Sequence, residues 1–498
     1  MSVIPRQTEA QTCTAPCYPQ TASEQTAGIT PTNFGYPPGN ILRYGADPTG
    51  VYDSKVAFQN AITVAELTAG SVYVPATAAS YLLTNTLSVT AGIRIYGDGY
   101  TPYVGSPSGD RGPGSWLQFA HLNVGIEVAN GATGLSSVFI ERIGSFRNQP
   151  APAPGWVPLS ASYDISIANA DIHIRDVMLL NPTSGVLINN QVGARTFIDG
   201  LFGQPLTNGI NVLLSEDTCR INNVHFWPYW ENDTTYVNPW TTANLLALFL
   251  QRCDDPEISN FFSIFALQPI TFGFNSSVSP QITSRALLNN IVLDAYGAAG
   301  VTVITGANDV SFAINNLVGT SSNTTSASSF GVLFSATSAI AQIVNARFSA
   351  LGSSAISVNG TANNIKINNL VCDGYNGANN GSTCVFSGAG NLVTIGDPIL
   401  GTATNPGPLI SNPALISYNA TASGAFSFVN PATSITVNHG LGHTPLASQI
   451  LVSLTSAPSA AQNFFFTGLS ATQFTINMTP GSSGTVSGFW TIDSRNTT

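Results

Sequence analysis

The chain has 498 residues, of which only 8% are charged, and its formal net charge is −10. A hydrophobic content of 43% argues against disorder, and the 15 basic residues form no cluster that suits nucleic acid. The longest apolar run, residues 243–250, is far shorter than the roughly 20 residues of a membrane-spanning helix.

Residues 1–40 are polar and rich in proline, which predicts an N-terminal arm or attachment segment. The chain does not open with basic residues followed by an apolar stretch, so we expect no secretory signal peptide. Two cysteine pairs, Cys13 with Cys17 and Cys372 with Cys384, could form disulfides or bind metal. We interpret them as free thiols of a protein that folds in the cytosol, and we predict no cofactor and no metal site.

Residues 41–110 are predicted to form the helix-capped start of a β-structure. Asp53 or Ser54 can cap the first turn of a helix, and Gly70 is placed to end it. The apolar residues of this helix share one face: Phe58, Ile62 and Ala65. Short strands follow it, so the helix is expected to cover the first coil.

Residues 111–405 contain an internal repeat, a string of one apolar, two polar and one apolar residue that often includes Asn-Asn. Copies begin at Ile140, Ile174, Ile198, Ile221, Ile258, Leu288, Ile314 and Ile367, with a degraded copy near Val344. The smallest spacing is 23 residues, and each copy holds about three short apolar stretches separated by Gly, Asn or Ser. Such a period indicates a solenoid, here a right-handed, three-sided parallel β-helix whose Asn-Asn positions stack at one corner.

Residues 406–498 lose this period and alternate apolar with polar residues instead. The alternation is clearest at Phe474, Ile476 and Met478, and again at Trp490 and Ile492. It predicts a separate antiparallel β domain for trimerisation or end capping. The fold class is therefore all-β: a parallel β-helix with an N-terminal helix cap and a C-terminal antiparallel domain.

Gly45-Ala-Asp-Pro-Thr-Gly50 with Val72-Tyr-Val-Pro75 resembles the pectate-lyase-like β-helix superfamily, in the version found at the start of bacteriophage tailspikes. Two later stretches resemble sequences that recur in phage and prophage tailspikes: Asn222-Asn-Val-His-Phe-Trp-Pro-Tyr-Trp230 and Val437-Asn-His-Gly-Leu-Gly-His-Thr-Pro445. The resemblance implies a homotrimeric receptor-binding protein of the virion tail, made in the host cytoplasm. It also implies attachment to the phage tail or baseplate through the N-terminal arm. Many such proteins cleave the surface polysaccharide of the host, but fold alone does not establish that activity.

The coil after Ile221 is about 13 residues longer than the shortest coils, and the extra residues are rich in aromatic side chains. The predicted carbohydrate-binding residues are Trp227, Tyr229, Trp230, Tyr236 and Trp240, with His225 just before them. Aromatic faces bind the C–H faces of sugars with little loss of entropy. The same rings could instead pack among themselves or at a subunit contact, and His225 could be a buried strand residue or the base of a lyase.

Hydrolysis of a glycosidic bond needs two carboxyl groups, one as the acid and one as the nucleophile or base. Glu231 lies in the aromatic insertion, and Asp294 has the same offset in its repeat as Trp227, so these two are the predicted catalytic pair. Asp254 is a third candidate, although its place before a repeat string also suits a structural role at a corner.

The sequence therefore predicts a phage tailspike that binds a bacterial surface polysaccharide and hydrolyses it internally. The net negative charge disfavours a strongly anionic glycan, although local potential can override net charge. Three alternatives remain: a non-enzymatic receptor-binding spike, a polysaccharide lyase and a structural rod of the virion.

Overall fold

The structure is a computed structural model. It describes residues 17–102, 111–129, 137–190, 194–396, 399–411, 416–418, 421–429, 431–439, 441, 444–455, 463–470, 472–479 and 484–493. The chain forms two compact units. Unit 1 comprises Met1–Leu206 and Pro228–Val237, and unit 2 comprises Thr207–Trp227 and Asn238–Thr498. Among the described residues, no helix is long and apolar enough to span a membrane.

Unit 1 begins with helix α1 (Ala22–Thr26), a 3-10 turn (Ile41–Tyr44) and helix α2 (Lys55–Glu66). Thr21 and Glu24 form a capping box at the start of α1. The predicted helix is confirmed as α2, and its predicted apolar face, Phe58, Ile62 and Ala65, is buried. The chain then enters the parallel strands of the β-helix.

Twelve strands of unit 1 form three parallel series, one for each side of the coil. They are β1 (Ser71–Val74), β2 (Tyr81–Leu83), β3 (Leu87–Val89), β4 (Arg94–Gly97), β5 (Trp116–Phe119), β6 (Ile126–Ala129), β7 (Ser137–Glu141), β8 (Gly144–Phe146), β9 (Tyr163–Ala168), β10 (Asp171–Leu179), β11 (Ser184–Asn190) and β12 (Thr196–Gly203). One series runs β1–β4–β7–β10–β12, the second β2–β5–β8–β10 and the third β3–β6–β9–β11. The predicted right-handed, three-sided parallel β-helix is confirmed.

Two ion pairs of unit 1 have no exposed side-chain surface. Arg43 binds Glu24 at 2.6 Å, and its remaining N–H groups donate to the carbonyls of Tyr18, Pro19 and Tyr36. Arg147 binds Asp164 at 2.7 Å. Because Arg43 bonds to three carbonyls before it, residues 18–36 are tied to the 3-10 turn.

Unit 2 continues with parallel strands β13–β28 and contains most of helix α3 (Val237–Asn244). The strands are β13 (Asn208–Ser215), β14 (Cys219–Phe226), β15 (Leu246–Leu250), β16 (Glu257–Ile264), β17 (Gln268–Phe272), β18 (Ala286–Tyr296), β19 (Ala299–Val303), β20 (Ser311–Ser321), β21 (Phe330–Phe334), β22 (Ile340–Ser349), β23 (Ile356–Val358), β24 (Asn364–Tyr375), β25 (Val385–Ser387), β26 (Leu392–Ile395), β27 (Leu400–Ala403) and β28 (Ile416–Tyr418). The even-numbered strands from β14 to β26 pair in succession, and so do the odd-numbered strands from β13 to β25.

The repeat strings lie in register. Ile258 pairs with Leu288, Leu288 with Ile314 and Ile314 with Ile343, and all of these side chains are buried. The degraded copy expected near Val344 is confirmed, and it begins at Ile343. The register is set by burial, since a slip of one residue would turn every apolar side chain outward.

The second polar residue of each string has a positive φ, which bends the long strand at a corner. In unit 2 this residue is always asparagine: Asn223, Asn260, Asn290, Asn316, Asn345 and Asn369. Asparagine adopts this left-handed conformation more readily than most residues. The Asn290 amide donates to Oδ1 of Asn260 at 3.2 Å, and the Asn316 amide donates to Oδ1 of Asn290 at 3.1 Å. The predicted stacking of Asn residues at one corner is confirmed.

The end of unit 2 is antiparallel, as predicted. Its strands are β29 (Thr421–Phe428), β30 (Ser434–Asn438), β31 (Ile450–Leu454), β32 (Asn463–Thr467), β33 (Gln473–Thr479) and β34 (Val486–Asp493), with a 3-10 turn at Ala447–Gln449. They form two three-stranded sheets, β29–β34–β31 and β30–β33–β32. Phe474 and Trp490, one from each sheet, pack edge to face at 5.4 Å between ring centroids, so aromatic side chains fill the space between the sheets.

Candidate functional site

The centre of the predicted site is the loop at residues 228–237, which belongs to unit 1. Gln204, just after β12, holds this loop through three hydrogen bonds. Its Oε1 accepts from the backbone N–H groups of Trp230 (2.9 Å) and Glu231 (2.8 Å), and its Nε2 donates to the Glu231 carbonyl (2.7 Å). Because Gln204 is buried, the backbone at Glu231 has a fixed position.

Trp230 anchors the same loop by packing. Its side chain is only 9% exposed, and its ring lies 6.3 Å from that of Trp156 at an angle of 32°. Trp156 is also buried and donates from its indole nitrogen to the Pro150 carbonyl at 2.8 Å. This geometry gives Trp230 a packing role, one of the alternatives that the sequence left open.

The Glu231 side chain is buried, with only 6% of its surface exposed. Burial raises the pKa of its carboxyl group, and the negative charge of Asp233 raises it further, against a lowering by the backbone N–H of Asn232. A raised pKa keeps the carboxyl protonated closer to neutral pH, as a general acid requires.

Asp233 shapes the turn that follows. Its Oδ1 accepts from the backbone N–H groups of Thr235, Tyr236 and Val237, at 3.1 Å for Thr235 and 3.2 Å for Val237. These three hydrogen bonds hold the Asp233 side chain at the start of the turn. Tyr229 and Tyr236 are partly exposed on this loop, and burial raises the pKa of Tyr229.

The remaining predicted binding residues lie in unit 2. His225 is on β14, and its ring stacks on that of Phe262 at 4.5 Å. Burial lowers the pKa of His225, which makes the imidazole neutral at neutral pH. Trp227 follows β14 directly, Trp240 lies in α3, and both are partly exposed.

The other two predicted acids of unit 2 differ in their surroundings. Asp254 binds Arg252 at 2.6 Å and accepts from the Ser284 hydroxyl at 2.9 Å. Although burial opposes it, these bonds lower the pKa of Asp254 and hold it ionised. Asp294, on β18, pairs with Ile264 of β16, as their equal offsets in the repeat predict. The pairing of β14 with β16 ends at Phe226 and Ser263, one residue before Trp227.

The structure therefore brings Tyr229, Trp230, Glu231 and Tyr236 together in one loop of unit 1. The prediction missed Gln204 and Trp156, which position that loop. Trp156 carries a weak signal, because it is the only tryptophan in a proline-rich insertion between β8 and β9. Gln204 carries none.

No group of three or more potential metal ligands occurs in the part of the chain that the structure describes. Cys219, Cys253, Cys372 and Cys384 are free and buried. Cys17 is disulfide-bonded, so the interpretation of all the cysteines as free thiols is wrong there. Cys17 lies exposed in the polar N-terminal arm, whereas the four free cysteines are buried in the core. Cys13 lies outside the described residues.

Comparison with known families finds a match to the first part of the chain. Residues 39–226 match the family described as "Rhamnogalacturonase A/epimerase, pectate lyase-like". This confirms, over those residues, the resemblance to the pectate-lyase-like superfamily. No curated protein matches the sequence.

Several solved structures are similar to the chain at low identity. The tailspike protein of E. coli bacteriophage HK620, in complex with pentasaccharide, is 12% identical with a TM-score of 0.44, over 91% of this chain and 93% of that chain. The catalytic unit of a GH87 alpha-1,3-glucanase from Streptomyces thermodiastaticus is 14% identical with a TM-score of 0.38, over 81% and 68%. PfbA, a surface adhesin of Streptococcus pneumoniae, is 14% identical with a TM-score of 0.35, over 76% and 93%.

Proposed function

We propose that this chain is a phage tailspike that binds a bacterial surface polysaccharide and hydrolyses glycosidic bonds within it. The observation that carries the proposal is Glu231, a buried carboxyl group with a raised pKa on a loop fixed by Gln204. A carboxylic acid in this state can protonate the oxygen of a leaving sugar. In the proposal, Tyr229 and Tyr236 contact the glycan beside it, and Trp230 holds the loop in shape.

The proposed second carboxylate within the Glu231 loop is Asp233, and Asp294 of unit 2 stays a predicted catalytic residue. Asp233 lies in the same loop, and its negative charge raises the pKa of Glu231. Asp294 was selected from its register in the repeat and belongs to unit 2. Asp254 is the weakest candidate, because Arg252 and Ser284 already bind its carboxylate.

The proposal includes the assembly and location that the sequence resemblance implied. The chain would act as a homotrimer on the virion tail, attached through residues 1–40, with the C-terminal antiparallel domain aiding trimerisation or capping. In unit 2, the proposed carbohydrate-binding residues are His225, Trp227 and Trp240.

The test is to incubate the purified protein with surface polysaccharides from a panel of bacteria. Product size and new reducing ends are measured for the wild type and for Glu231→Gln, Asp233→Asn, Asp294→Asn and Asp254→Asn. General acid catalysis contributes about 10²- to 10⁴-fold, so we expect Glu231→Gln to lower the cleavage rate by that factor while glycan binding persists. Glu257→Gln, which alters an exposed ion pair, is the matched control and should cleave normally.

The same assay separates the alternatives. Full activity in Glu231→Gln would refute the proposed acid, whichever aspartate variant is inactive. A product with an unsaturated sugar that absorbs in the near ultraviolet would show a lyase. Glycan binding without any shortening by the wild type would show a non-enzymatic receptor-binding spike.

A further inference from the structure

Asparagine followed by glycine is the dipeptide in which a side-chain amide is most easily lost. The glycine nitrogen can attack Cγ of the asparagine, because glycine has no Cβ to obstruct the approach. The reaction needs a free nitrogen and a side chain that can turn toward it, so the fold decides which dipeptides react. The described residues contain four such dipeptides, all in unit 2: Asn208-Gly209, Asn359-Gly360, Asn376-Gly377 and Asn380-Gly381.

Three of the four dipeptides are held by strand pairing or by a hydrogen bond of the glycine nitrogen. Asn208-Gly209 lies inside β13, which pairs with β15. The Gly360 N–H donates to the Phe334 carbonyl at 3.1 Å, and the Gly377 N–H donates to the Leu351 carbonyl at 3.0 Å. In these places the attacking nitrogen is therefore already engaged.

Asn376 has a side chain that is fixed as well. It is fully buried, and its Nδ2 donates to the carbonyls of Asn405 at 3.3 Å and Pro406 at 2.9 Å. Its Oδ1 accepts from the backbone N–H groups of Asn380 and Ser382, each at 3.1 Å. Four hydrogen bonds thus keep the Asn376 amide from turning toward the following glycine.

Asn380-Gly381 differs from the other three dipeptides. Both residues are exposed, in the irregular segment between β24 and β25. Within the part of the chain that the structure describes, neither the Gly381 N–H nor Nδ2 of Asn380 donates a hydrogen bond. Gly381 has a φ of 78°, and the space that a Cβ would occupy is open. The attacking nitrogen and the leaving amide are therefore both free.

The side-chain carbonyl of Asn380 is also held in a suitable place. Its Oδ1 accepts from the Ser382 hydroxyl at 2.5 Å and from the Ser382 backbone N–H at 3.1 Å. These two bonds span Gly381 and keep Cγ of Asn380 beside that residue. They also stabilise the negative charge that develops on Oδ1 when a nitrogen attacks Cγ. The Ser382 hydroxyl is itself held by that of Ser353 at 2.9 Å.

We propose that Asn380 is a site of spontaneous deamidation, through a cyclic imide formed with Gly381. The Gly381 nitrogen bonds to Cγ and gives its proton to solvent, while the bond from Cγ to Nδ2 breaks and ammonia leaves. Water then opens the ring at either carbonyl and yields aspartate or isoaspartate. The net change exchanges ammonia for water, with no oxidation or reduction. Each event adds one negative charge to a chain in which only 8% of residues are charged.

The test compares Asn380 with Asn376 in the same molecule. Folded protein and urea-unfolded protein are incubated in warm, mildly alkaline buffer and digested at acidic pH, and the mass of each asparagine peptide is followed. Because positioning changes such rates by orders of magnitude, we expect Asn380 to react at least about tenfold faster than Asn376 in the folded protein. In the unfolded chain the two should react at similar rates, since glycine follows both. Anion exchange should show the added charge.

The variants separate the local chemistry from general destabilisation. Gly381→Ala should slow the reaction about tenfold or more, because a Cβ obstructs the attack. Gly390→Ala is the matched control, since Gly390 has the same φ of 78° and equally open surroundings, and the rate at Asn380 should be unchanged. Ser382→Ala removes the hydroxyl bond to Oδ1 and should slow the reaction about fivefold. Asn380→Gln should show no modification at this position, and circular dichroism confirms that each variant is folded.

Equal rates at Asn376 and Asn380 in the folded protein would overturn the proposal. So would an Asn380 that stays intact in the folded protein while both residues react in the unfolded chain. If Gly390→Ala slowed the reaction as much as Gly381→Ala, the assignment of Gly381 as the attacking residue would also fall. No glycan enters this experiment, so its result is independent of the proposed hydrolysis.

Discussion

The two units use polar side chains in different ways to stabilise the same kind of coil. Unit 1 has two ion pairs that are fully buried, Glu24 with Arg43 and Asp164 with Arg147. Unit 2, in its described residues, has ion pairs that keep at least one partner partly exposed. They are Arg220 with Glu257, Arg252 with Asp254, Arg285 with Asp255 and Arg347 with Asp373.

Unit 2 relies instead on neutral amides at its corner. Asn345 and Asn369 extend the ladder of Asn260, Asn290 and Asn316. The side-chain amide of Asn369 donates a hydrogen bond to Oδ1 of Asn345 at 2.8 Å. Unit 1 has the same positive φ at the same corner, but there it falls on Arg142, Asp176 and Gly200. The backbone bend is thus common to both units, while the side-chain ladder is a property of unit 2. A continuous amide ladder needs no charge, which suits a chain with 8% charged residues.

The largest expected effect concerns the buried ion pairs of unit 1. Asp164→Asn removes one charge and leaves Arg147 buried without its partner, so we expect a loss of about 3–5 kcal/mol in the free energy of unfolding. Asp255→Asn is the matched control in unit 2. Its side chain and that of Arg285 are 60% and 66% exposed, so no measurable change is expected. Urea denaturation followed by circular dichroism provides the measurement.

Equal losses in the two variants would contradict the difference between the buried and the exposed ion pairs. A double variant tests the same difference: Arg147→Met/Asp164→Leu replaces the pair by apolar groups and should lose less stability than the sum of Arg147→Met alone and Asp164→Leu alone. Breaking a buried pair costs more than replacing it whole.

The next effect concerns the amide ladder of unit 2. Asn290→Ala removes two ladder bonds and puts an alanine at a φ of 57°, so we expect a loss of about 2–3 kcal/mol. Asn290→Gly also loses the bonds but tolerates the φ, and its loss should be about 1 kcal/mol smaller. Urea denaturation of both variants separates the backbone contribution from the hydrogen bonds.

Asn289→Ala is the neighbouring control. Asn289 lies beside the corner, and its Oδ1 accepts one hydrogen bond from the side-chain amide of Asn315 at 3.2 Å. Its loss should be below that of Asn290→Ala. If alanine and glycine at position 290 were equally destabilising, the positive φ would carry no cost and the ladder alone would explain the corner.

The same contrast between repeating and non-repeating parts explains what the sequence could predict. The repeat string marks buried positions at a constant offset, and parallel pairing then sets Ile258, Leu288 and Ile314 side by side. The Asn-Asn positions predict the corner because they also recur at a constant offset in the repeat. The helix before β1 follows from three apolar residues on one face.

The site was harder to predict because its decisive contacts have no period. Trp156 meets Trp230, and Gln204 binds the backbone at Glu231, across loops whose paths depend on packing. The sequence could suggest an aromatic insertion with an acid, but not which rings are buried. One column of partly exposed aromatic residues does have a period: Phe139, His173 and Phe197 each lie directly before a repeat string. These side chains point outward, so the pattern of buried apolar residues does not include them.

The smallest expected effect compares two histidine stacks as the pH falls. Burial lowers the pKa of His225 in unit 2, and burial likewise leads the lowering at His173 in unit 1. Above the unfolded pKa of about 6.5, both rings are neutral in the folded and unfolded states. Below it, the unfolded chain takes up protons more readily, so stability is lost as the pH falls from 6.5 toward the folded pKa.

His225→Phe keeps a ring against Phe262 but cannot be protonated, so its stability should fall less than that of the wild type between pH 7.5 and 5. Urea midpoints across that range measure the difference, and His173→Phe should shift them in the same direction. A steeper pH dependence in His225→Phe would mean that the folded protein stabilises the protonated ring, contrary to its burial.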